Sequence, residues 1–243
     1  MTDSLLTPLR QCALEIHEVV KGQQGRGLSG ARATQYHLDL VADEVAVRVL
    51  GGAGFRVVSE ESGVTGSGEL TAVVDPIDGS TNCDRGIPFF ATSIAVMRGD
   101  ELIVGLVRNQ ATGTVFEAEK GSGAVRDGVA IQPSGLTEMP KAIAGFSGYP
   151  TRNLGWAQNR SMGAASLEIC LVADGSLDVY GVAQHSGLNT WDYLAGLLIA
   201  REAGAVAADY LDEELETSAD VIRHPVFAAS RELLSLMIAQ GTI

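Results

Sequence analysis

Two acids separated by a rigid turn follow a short apolar run in the first third of the chain. The run reads Val73-Val74-Asp75-Pro76-Ile77-Asp78-Gly79-Ser80-Thr81-Asn82. Pro76 fixes its own backbone angle and disfavours a helical Asp75, so we expect Asp75 to end a strand and Asp78 to lie just past a bend. Both carboxylates can then face one point. Because no Lys or Arg occurs between Leu70 and Asn82, a hard divalent cation is the natural partner for two acids held this close.

The residues that follow Asp78 are suited to an anion. Gly79, Ser80 and Thr81 come in an order typical of a helix start, where backbone N–H groups and the helix dipole favour a negative ligand. Mg²⁺ keeps several waters that a phosphate can displace. Asp-Pro and Asp-Gly pairs are also common in turns, so a purely structural turn is the alternative for each pair taken alone.

Taken together, the run from Asp75 to Asn82 resembles the signature of the inositol monophosphatase family, which comprises Mg²⁺-dependent, lithium-sensitive phosphatases. The resemblance implies an α/β (α+β) fold, a layered α-β-α-β-α sandwich of the inositol monophosphatase and fructose-1,6-bisphosphatase type. It also implies two or three bound Mg²⁺ ions. The similarity extends from about Asp39 to the C-terminus.

Two further acids match parts of the same family pattern. Glu60 lies in Ser59-Glu60-Glu61-Ser62, directly after a predicted strand, and Asp192 lies in Asn189-Thr190-Trp191-Asp192, at a predicted helix start. A solvated loop would explain the first and helix capping the second. The resemblance instead implies a metal site whose ligands are Glu60, Asp75, the carbonyl of Ile77, Asp78 and Asp192. Glu60 would also orient the attacking water.

An acid in the second predicted helix, from about residue 36 to 50, completes the implied catalytic group. The resemblance assigns to Asp43 the role of pairing with the hydroxyl of Ser80 and helping to activate water; a solvated helix acid is the alternative. Ser80 keeps the hydroxyl of the Thr that is usual in the family and lacks its methyl group. The Lys that the family usually places before this helix has no clear counterpart here.

The substrate side of the site is less well defined. The resemblance implies that the turn Gly163-Ala164-Ala165 lies beside the substrate, with Asp78, Gly79 and Ser80 on the phosphate side; a tight helix–helix contact is the alternative. A Glu that the family often places before the Trp is absent, and His185 lies in that neighbourhood. We expect His185 to contact the substrate, although a lone His is more often structural.

The composition describes an acidic globular protein. The chain has 243 residues, 46% of them hydrophobic and 19% charged, and a formal net charge of -13. This charge disfavours nucleic acid and anionic membranes as partners. A Pro- and Gly-containing loop at 131–140 predicts two halves, with residues 1–132 carrying Glu60 and the Asp75–Thr81 motif and residues 133–243 carrying Asp192 and the substrate side.

The three cysteines, Cys12, Cys83 and Cys170, form no recognisable disulfide or zinc pattern, and no stretch has the length of a signal peptide or membrane span. We therefore expect a reduced, cytoplasmic protein. The family resemblance implies a homodimer.

These patterns predict an enzyme that hydrolyses a small phosphate monoester by attack of metal-activated water, with inositol monophosphate as the first candidate. Histidinol phosphate, fructose 1,6-bisphosphate and a phosphorylated nucleotide are the alternatives within the superfamily. A non-catalytic binding protein on the same fold is the alternative outside enzymes.

Overall fold

The computed structural model describes residues 5–22, 27–30 and 35–242. Its helices are α1 (Leu6–Gly22), α2 (His37–Gly52), α3 (Ser80–Arg85), α4 (Ala165–Ala173), α5 (Thr190–Ala203) and α6 (Arg231–Gln240). No helix in these ranges has the length and apolar character needed to cross a membrane. All three cysteines are free thiols.

Two mixed sheets carry the strands. The larger sheet has the order β2-β1-β3-β4-β5-β6-β7-β8. Its strands are β1 (Arg56–Ser59), β2 (Gly63–Thr65), β3 (Leu70–Asp78), β4 (Ala91–Arg98), β5 (Glu101–Asn109), β6 (Val115–Glu119), β7 (Ala124–Arg126) and β8 (Val129–Ala130). The smaller sheet has the order β10-β9-β11-β13-β12. Its strands are β9 (Ile143–Ser147), β10 (Gln158–Arg160), β11 (Val179–Val182), β12 (Val206–Asp209) and β13 (Pro225–Ala228).

The helices and sheets alternate in five layers. α1 and α2 pack on one face of the larger sheet, α4 and α5 lie between the two sheets, and α6 covers the outer face of the smaller sheet. The apolar face of α1, which includes Leu9, Cys12 and Ile16, is buried against the larger sheet and α2. α5 is buried along most of its length because it has a sheet on each side. The layered fold predicted from the sequence is confirmed.

The strand that leads into the acidic motif is longer than the sequence predicted. β3 does not end at Asp75 but continues through Pro76 to Asp78, with a shift in its pairing to β4 between the two acids. Pro76 cannot donate a ladder hydrogen bond, and its carbonyl accepts one from the Thr92 hydroxyl at 2.8 Å. The bend is therefore a bulge within the strand, which redirects side chains without ending it.

The larger sheet lies within residues 56–130 and the smaller one within residues 143–228, on either side of the predicted boundary loop. A hydrophobic cluster joins Val58 and Met97 of the larger sheet to Leu194 of α5 and Phe227 of the smaller sheet. The halves therefore share buried contacts, and their independence as domains stays a prediction.

Candidate metal and phosphate site

Asp75 and Asp78 lie on either side of the bulge at the C-terminal end of β3, and both are buried. Asp75 Oδ1 accepts a 2.9 Å hydrogen bond from the backbone N–H of Ile77, which fixes its orientation within the bulge. Asp78 accepts backbone hydrogen bonds from Ala165 and Ser166, at 3.1 and 2.7 Å, in the first turn of α4. Each carboxylate is thus held in place by backbone groups.

Two other elements bring further acids to the same place. Glu60 follows β1, which pairs in parallel with β3, and Asp192 lies in the first turn of α5, where its Oδ2 accepts the Asn189 N–H at 2.7 Å. Burial, followed by the charges of Glu61, Asp39 and Asp78, raises the pKa of Glu60 to about 7. Burial, followed by the charges of Asp78 and Glu60, holds the pKa of Asp192 well above its usual range.

The same pattern holds at the centre of the group. Burial raises the pKa of Asp75 well above its usual value, and the charges of Glu60, Asp78 and Asp192 add to that shift. Burial also raises the pKa of Asp78 to about 6, although the hydrogen bonds from Ser166 oppose this shift. Buried carboxylates repel one another unless protons or a cation compensate them. An all-oxygen donor set of this kind fits a hard divalent cation such as Mg²⁺.

Another group of side chains has a tighter spacing. Asp209, Glu213 and His224 have ligand atoms within 4.8 Å of one another, and in the described ranges no other group of three potential ligands is this close. Glu213 pairs with Arg223 at 3.4 Å, and the carboxylate of Asp209 accepts the N–H groups of Leu211 and His224. Both acids of this second group therefore have partners of their own, while His224 Nδ1 is buried without one among the described residues. The pKa of Asp75, in contrast, is raised by the charges of Glu60, Asp78, Asp192 and Asp39.

The acid beside Ser80 is Asp39, not Asp43. Asp39 lies in the first turn of α2, where its Oδ2 accepts the Tyr36 N–H at 2.7 Å. Burial raises the pKa of Asp39 to about 6, while the Tyr36 N–H and the Ser80 side chain both act to lower it. The Ser80 hydroxyl donates to the Ile77 carbonyl at 2.9 Å. Asp39 Oδ1 is buried without a hydrogen-bond partner among the described residues.

The predicted pairing of Asp43 with Ser80 is therefore wrong. Asp43 accepts hydrogen bonds from the hydroxyls of Ser59 and Ser62, at 2.5 and 3.2 Å, and supports the loop that carries Glu60. Asp39 and Asp43 are four positions apart, so they lie on the same face of α2, one turn from each other. The first-turn position of Asp39, which lets it cap its own helix, was the signal that could have distinguished them.

The predicted phosphate-side turn packs tightly against the predicted substrate-side turn. Gly79 has a φ of +89°, and a Cβ on it would lie 2.9 Å from the carbonyl oxygen of Gly163 and 3.2 Å from the Cβ of Ala164. Asn82 in α3 donates to the carbonyls of Phe89 and Met162, both at 2.7 Å. Only glycine fits at position 79, because it combines a left-handed backbone with this close approach.

A cavity of about 280 Å³ opens beside Asp78 and Asp192. The turn predicted to face the substrate lines this cavity, as do Glu168 of α4 and Tyr180 of β11. His185 is exposed and is not among the lining residues, so the structure does not bring it to the site. Glu168 and Tyr180 were not predicted from the sequence, because a Glu in an apolar helix and a Tyr in a strand belong to no motif.

Comparison with known proteins places this arrangement in a family. Residues 29–240 match the inositol monophosphatase family. The chain belongs to the inositol monophosphatase family. Enzymes of this family hydrolyse phosphate esters and depend on metal ions, and the protein is a phosphatase of this family.

Individual relatives agree with this assignment. A protein of Archaeoglobus fulgidus named fructose-1,6-bisphosphatase/inositol-1-monophosphatase is 34% identical over 212 residues, which cover 86% of this chain and 79% of the relative. An inositol-1-monophosphatase of Mesorhizobium japonicum is 29% identical over 211 residues, covering 80% and 77%. A solved structure from Pyrococcus horikoshii, described as similar to inositol-1 monophosphatase, superposes with a TM-score of 0.84 at 27% identity and covers 97% of this chain and 98% of that chain.

Proposed function

We propose that this member of the inositol monophosphatase family is a Mg²⁺-dependent phosphatase that hydrolyses the monophosphate of a small polyol, with inositol monophosphate as the first candidate. One observation carries the proposal. Burial is the largest cause of the raised pKa values of Asp39, Glu60, Asp75, Asp78 and Asp192, and the charges of the other four all raise the pKa of Asp75. Such a cluster needs a multivalent cation to stay ionised near neutral pH.

The metal ligands are assigned by their positions in the structure. Glu60, Asp75, Asp78 and Asp192 would hold Mg²⁺, together with the Ile77 carbonyl, which retains a lone pair after accepting the Ser80 hydroxyl. When bound, Mg²⁺ supplies positive charge that makes water a better nucleophile and offsets the charge of the phosphate oxygens. The number of ions, two or three, is carried over from the family resemblance.

Three residues, Glu60, Ser80 and Asp39, would position the attacking water. Glu60, as a carboxylate, would accept a hydrogen bond from the attacking water and so orient it. Ser80, between the Ile77 carbonyl and Asp39, offers a hydroxyl that can hydrogen-bond the same water. We assign to Asp39 the role of stabilising this hydroxyl, in place of the Asp43 role expected from the sequence.

The cavity chemistry favours a substrate with one phosphate. Among the described residues that line the cavity are three acids, Asp78, Glu168 and Asp192, and no Lys, Arg or His. The phosphate that is cleaved would meet the metal and the Gly79–Thr81 turn. A second phosphate in the cavity would face these acids without a cation, so the lining fits hydroxyl groups better than fructose 1,6-bisphosphate.

Phosphate release from a panel of esters tests the proposal. The panel contains inositol monophosphate, fructose 1,6-bisphosphate, histidinol phosphate and a phosphorylated nucleotide, each assayed with Mg²⁺ or with EDTA. We expect inositol monophosphate to have the highest kcat/KM and EDTA to abolish its turnover. Faster turnover of another ester would change the proposed substrate and leave the proposed phosphatase activity in place. Calorimetric Mg²⁺ binding without turnover of any ester would support a binding protein on this fold.

A further inference from the structure

The cavity beside Asp78 and Asp192 contains a carboxylate that is oriented but only half satisfied. Glu168 is 1% exposed. Its Oε1 accepts hydrogen bonds from the backbone N–H groups of Met162 and Gly163, at 3.0 and 3.1 Å. Its Oε2 is buried and has no hydrogen-bond partner among the described residues. The two backbone bonds fix the plane of the carboxylate and leave one oxygen as an available acceptor.

The same cavity is lined by Tyr180, whose hydroxyl also lacks a hydrogen-bond partner in the part of the chain that the structure describes. Tyr180 is fully buried. Burial, followed by the charges of Glu168 and Asp78, holds the pKa of Tyr180 well above its usual value. The side chain of Ser147, which lines the same cavity, is near enough to oppose this shift by hydrogen bonding, although its geometry does not meet that of a formed hydrogen bond. The phenol therefore stays protonated and can both donate and accept.

The two residues are neighbours across one glycine. A Cβ on Gly145 would lie 2.9 Å from Oε2 of Glu168 and 3.2 Å from the ring of Tyr180. Both side chains thus pack over the same short stretch of β9, at the wall of the cavity that also contains Asp78 and Asp192. The absent side chain at Gly145 leaves room for the carboxylate in this position.

Unpartnered polar atoms are uncommon inside proteins, because each loses its bonds to water without replacement. A ligand that supplies the missing partners recovers this loss, and an analogue that lacks them does not. A carboxyl group with one free oxygen, next to a phenol that can donate and accept, is complementary to alcohol hydroxyl groups, which are themselves donors and acceptors.

We propose that Glu168 and Tyr180 form the subsite that binds a hydroxyl group of the leaving alcohol. This proposal rests on the proposed phosphatase function and adds to it the residues that distinguish a polyol phosphate from a simple alkyl phosphate. Oε2 of Glu168 accepts the substrate O–H, and the Tyr180 hydroxyl donates to the same or a neighbouring oxygen. Neither residue takes part in the chemistry at phosphorus.

A matched pair of substrates isolates this contact. Inositol monophosphate and cyclohexyl phosphate have the same six-membered carbon ring, and only the first has hydroxyl groups beside the phosphate ester. The readout is the ratio of their kcat/KM values, measured with Mg²⁺. A defect in metal binding or in chemistry lowers both values and leaves the ratio near that of the unmodified protein. Loss of a hydroxyl contact lowers the ratio.

Three variants complete the experiment. Glu168→Gln keeps an oxygen for the backbone N–H groups and replaces the free acceptor by an amide N–H, and Tyr180→Phe removes only the hydroxyl. Each is expected to lower the ratio by about tenfold, as for a lost hydrogen bond to a bound ligand. Tyr210→Phe is the matched control, because the Tyr210 hydroxyl is also buried and unpartnered among the described residues but does not line this cavity. Its ratio should stay unchanged.

Each result distinguishes the subsite from the function on which it rests. If the unmodified protein hydrolyses both esters and the Glu168 and Tyr180 variants retain its ratio, the subsite is wrong and the phosphatase stands. If the unmodified protein hydrolyses neither ester, the subsite proposal is wrong, and the phosphatase proposal is also wrong if no other ester of the panel is hydrolysed. Thermal unfolding of each variant distinguishes loss of the fold from loss of substrate recognition. If either the Glu168 or the Tyr180 variant does not fold, the substrate ratio of the other variant tests the subsite.

Discussion

Asp78 Oδ2 accepts a 2.7 Å hydrogen bond from the backbone N–H of Ser166, which lies 88 positions further along the chain. A carboxylate at the end of a strand in the larger sheet therefore caps the helix between the two sheets. The N-terminus of α4 favours the negative charge of Asp78, which lies beside Asp192 of the neighbouring helix. The metal and substrate roles proposed for Asp78 and the packing of the middle layer therefore depend on the same side chain.

Replacing Asp192 tests whether this acid does more than cap α5. Asp192→Asn keeps an oxygen that can accept the Asn189 N–H, so we expect the thermal stability to change little. The side chain loses the charge that a divalent ion requires, so we expect kcat to fall by at least about a hundredfold, as for other removed electrostatic partners in active sites. Phosphate release and thermal unfolding measure the two effects. A normal kcat in the variant would show that Asp192 only caps α5.

Paired variants in α2 decide between Asp39 and Asp43. We expect Asp39→Asn to lower kcat about tenfold or more, because the charge beside the Ser80 hydroxyl is lost. Asp43→Asn should mainly lower the free energy of unfolding, by about 1 kcal/mol, because its partners are the hydroxyls of Ser59 and Ser62. Steady-state kinetics and chemical denaturation measure both variants. The reverse pattern would restore Asp43 to the catalytic role expected from the sequence.

Two glycine variants separate backbone strain from steric overlap between the phosphate-side and substrate-side turns. Gly79 and Gly121 have φ values of +89° and +78°, but a Cβ would meet other atoms only at Gly79. Gly121→Ala should cost about 1–2 kcal/mol, the usual strain of a non-glycine residue in this region. Gly79→Ala should cost more and lower activity, because it pushes the phosphate-side turn away from Gly163. Equal losses of stability with full activity in both would contradict this packing of the two turns.

The acid cluster predicts a specific dependence of stability on pH in the metal-free protein. The pKa of Glu60 rises from 4.5 to about 7 and that of Asp78 from 3.8 to about 6 in the folded state. The folded protein therefore binds more protons than the unfolded chain through this range, so its free energy of unfolding falls as the pH rises towards 7. Mg²⁺ should offset this loss increasingly at higher pH, because it competes with protons for the carboxylates.

Thermal unfolding between about pH 5 and pH 8, with EDTA or with Mg²⁺, measures this dependence directly. We expect Tm to decline with pH in EDTA and to recover with Mg²⁺, most strongly near pH 8. A Tm in EDTA that is independent of pH, together with no effect of Mg²⁺, would contradict mutual repulsion among the acids.

The order of helices and strands and the layered fold were largely predictable, because the apolar periodicities and the motif from Asp75 to Thr81 carry strong local signals. The bulge at Pro76 was not, because a strand that continues past a proline depends on the neighbouring Thr92. Asp39 and Asp43 share a face of α2, so helical periodicity alone could not separate them, and the first-turn position of Asp39 was the available signal. Glu168 and Tyr180 could be found only in three dimensions, because what marks them is the absence of partners in a buried place.

Anomalous diffraction from a crystal soaked in Mn²⁺ near pH 7.5 tests the central claim most directly. The account predicts at least one peak among Glu60, Asp75, Asp78 and Asp192, with carboxylate oxygens at roughly 2.0–2.3 Å, the range for small divalent cations. Loss of the peak in Asp78→Asn crystals would identify its ligands. A peak only at Asp209, Glu213 and His224, or no peak beside Asp75 at saturating Mn²⁺, would contradict the account.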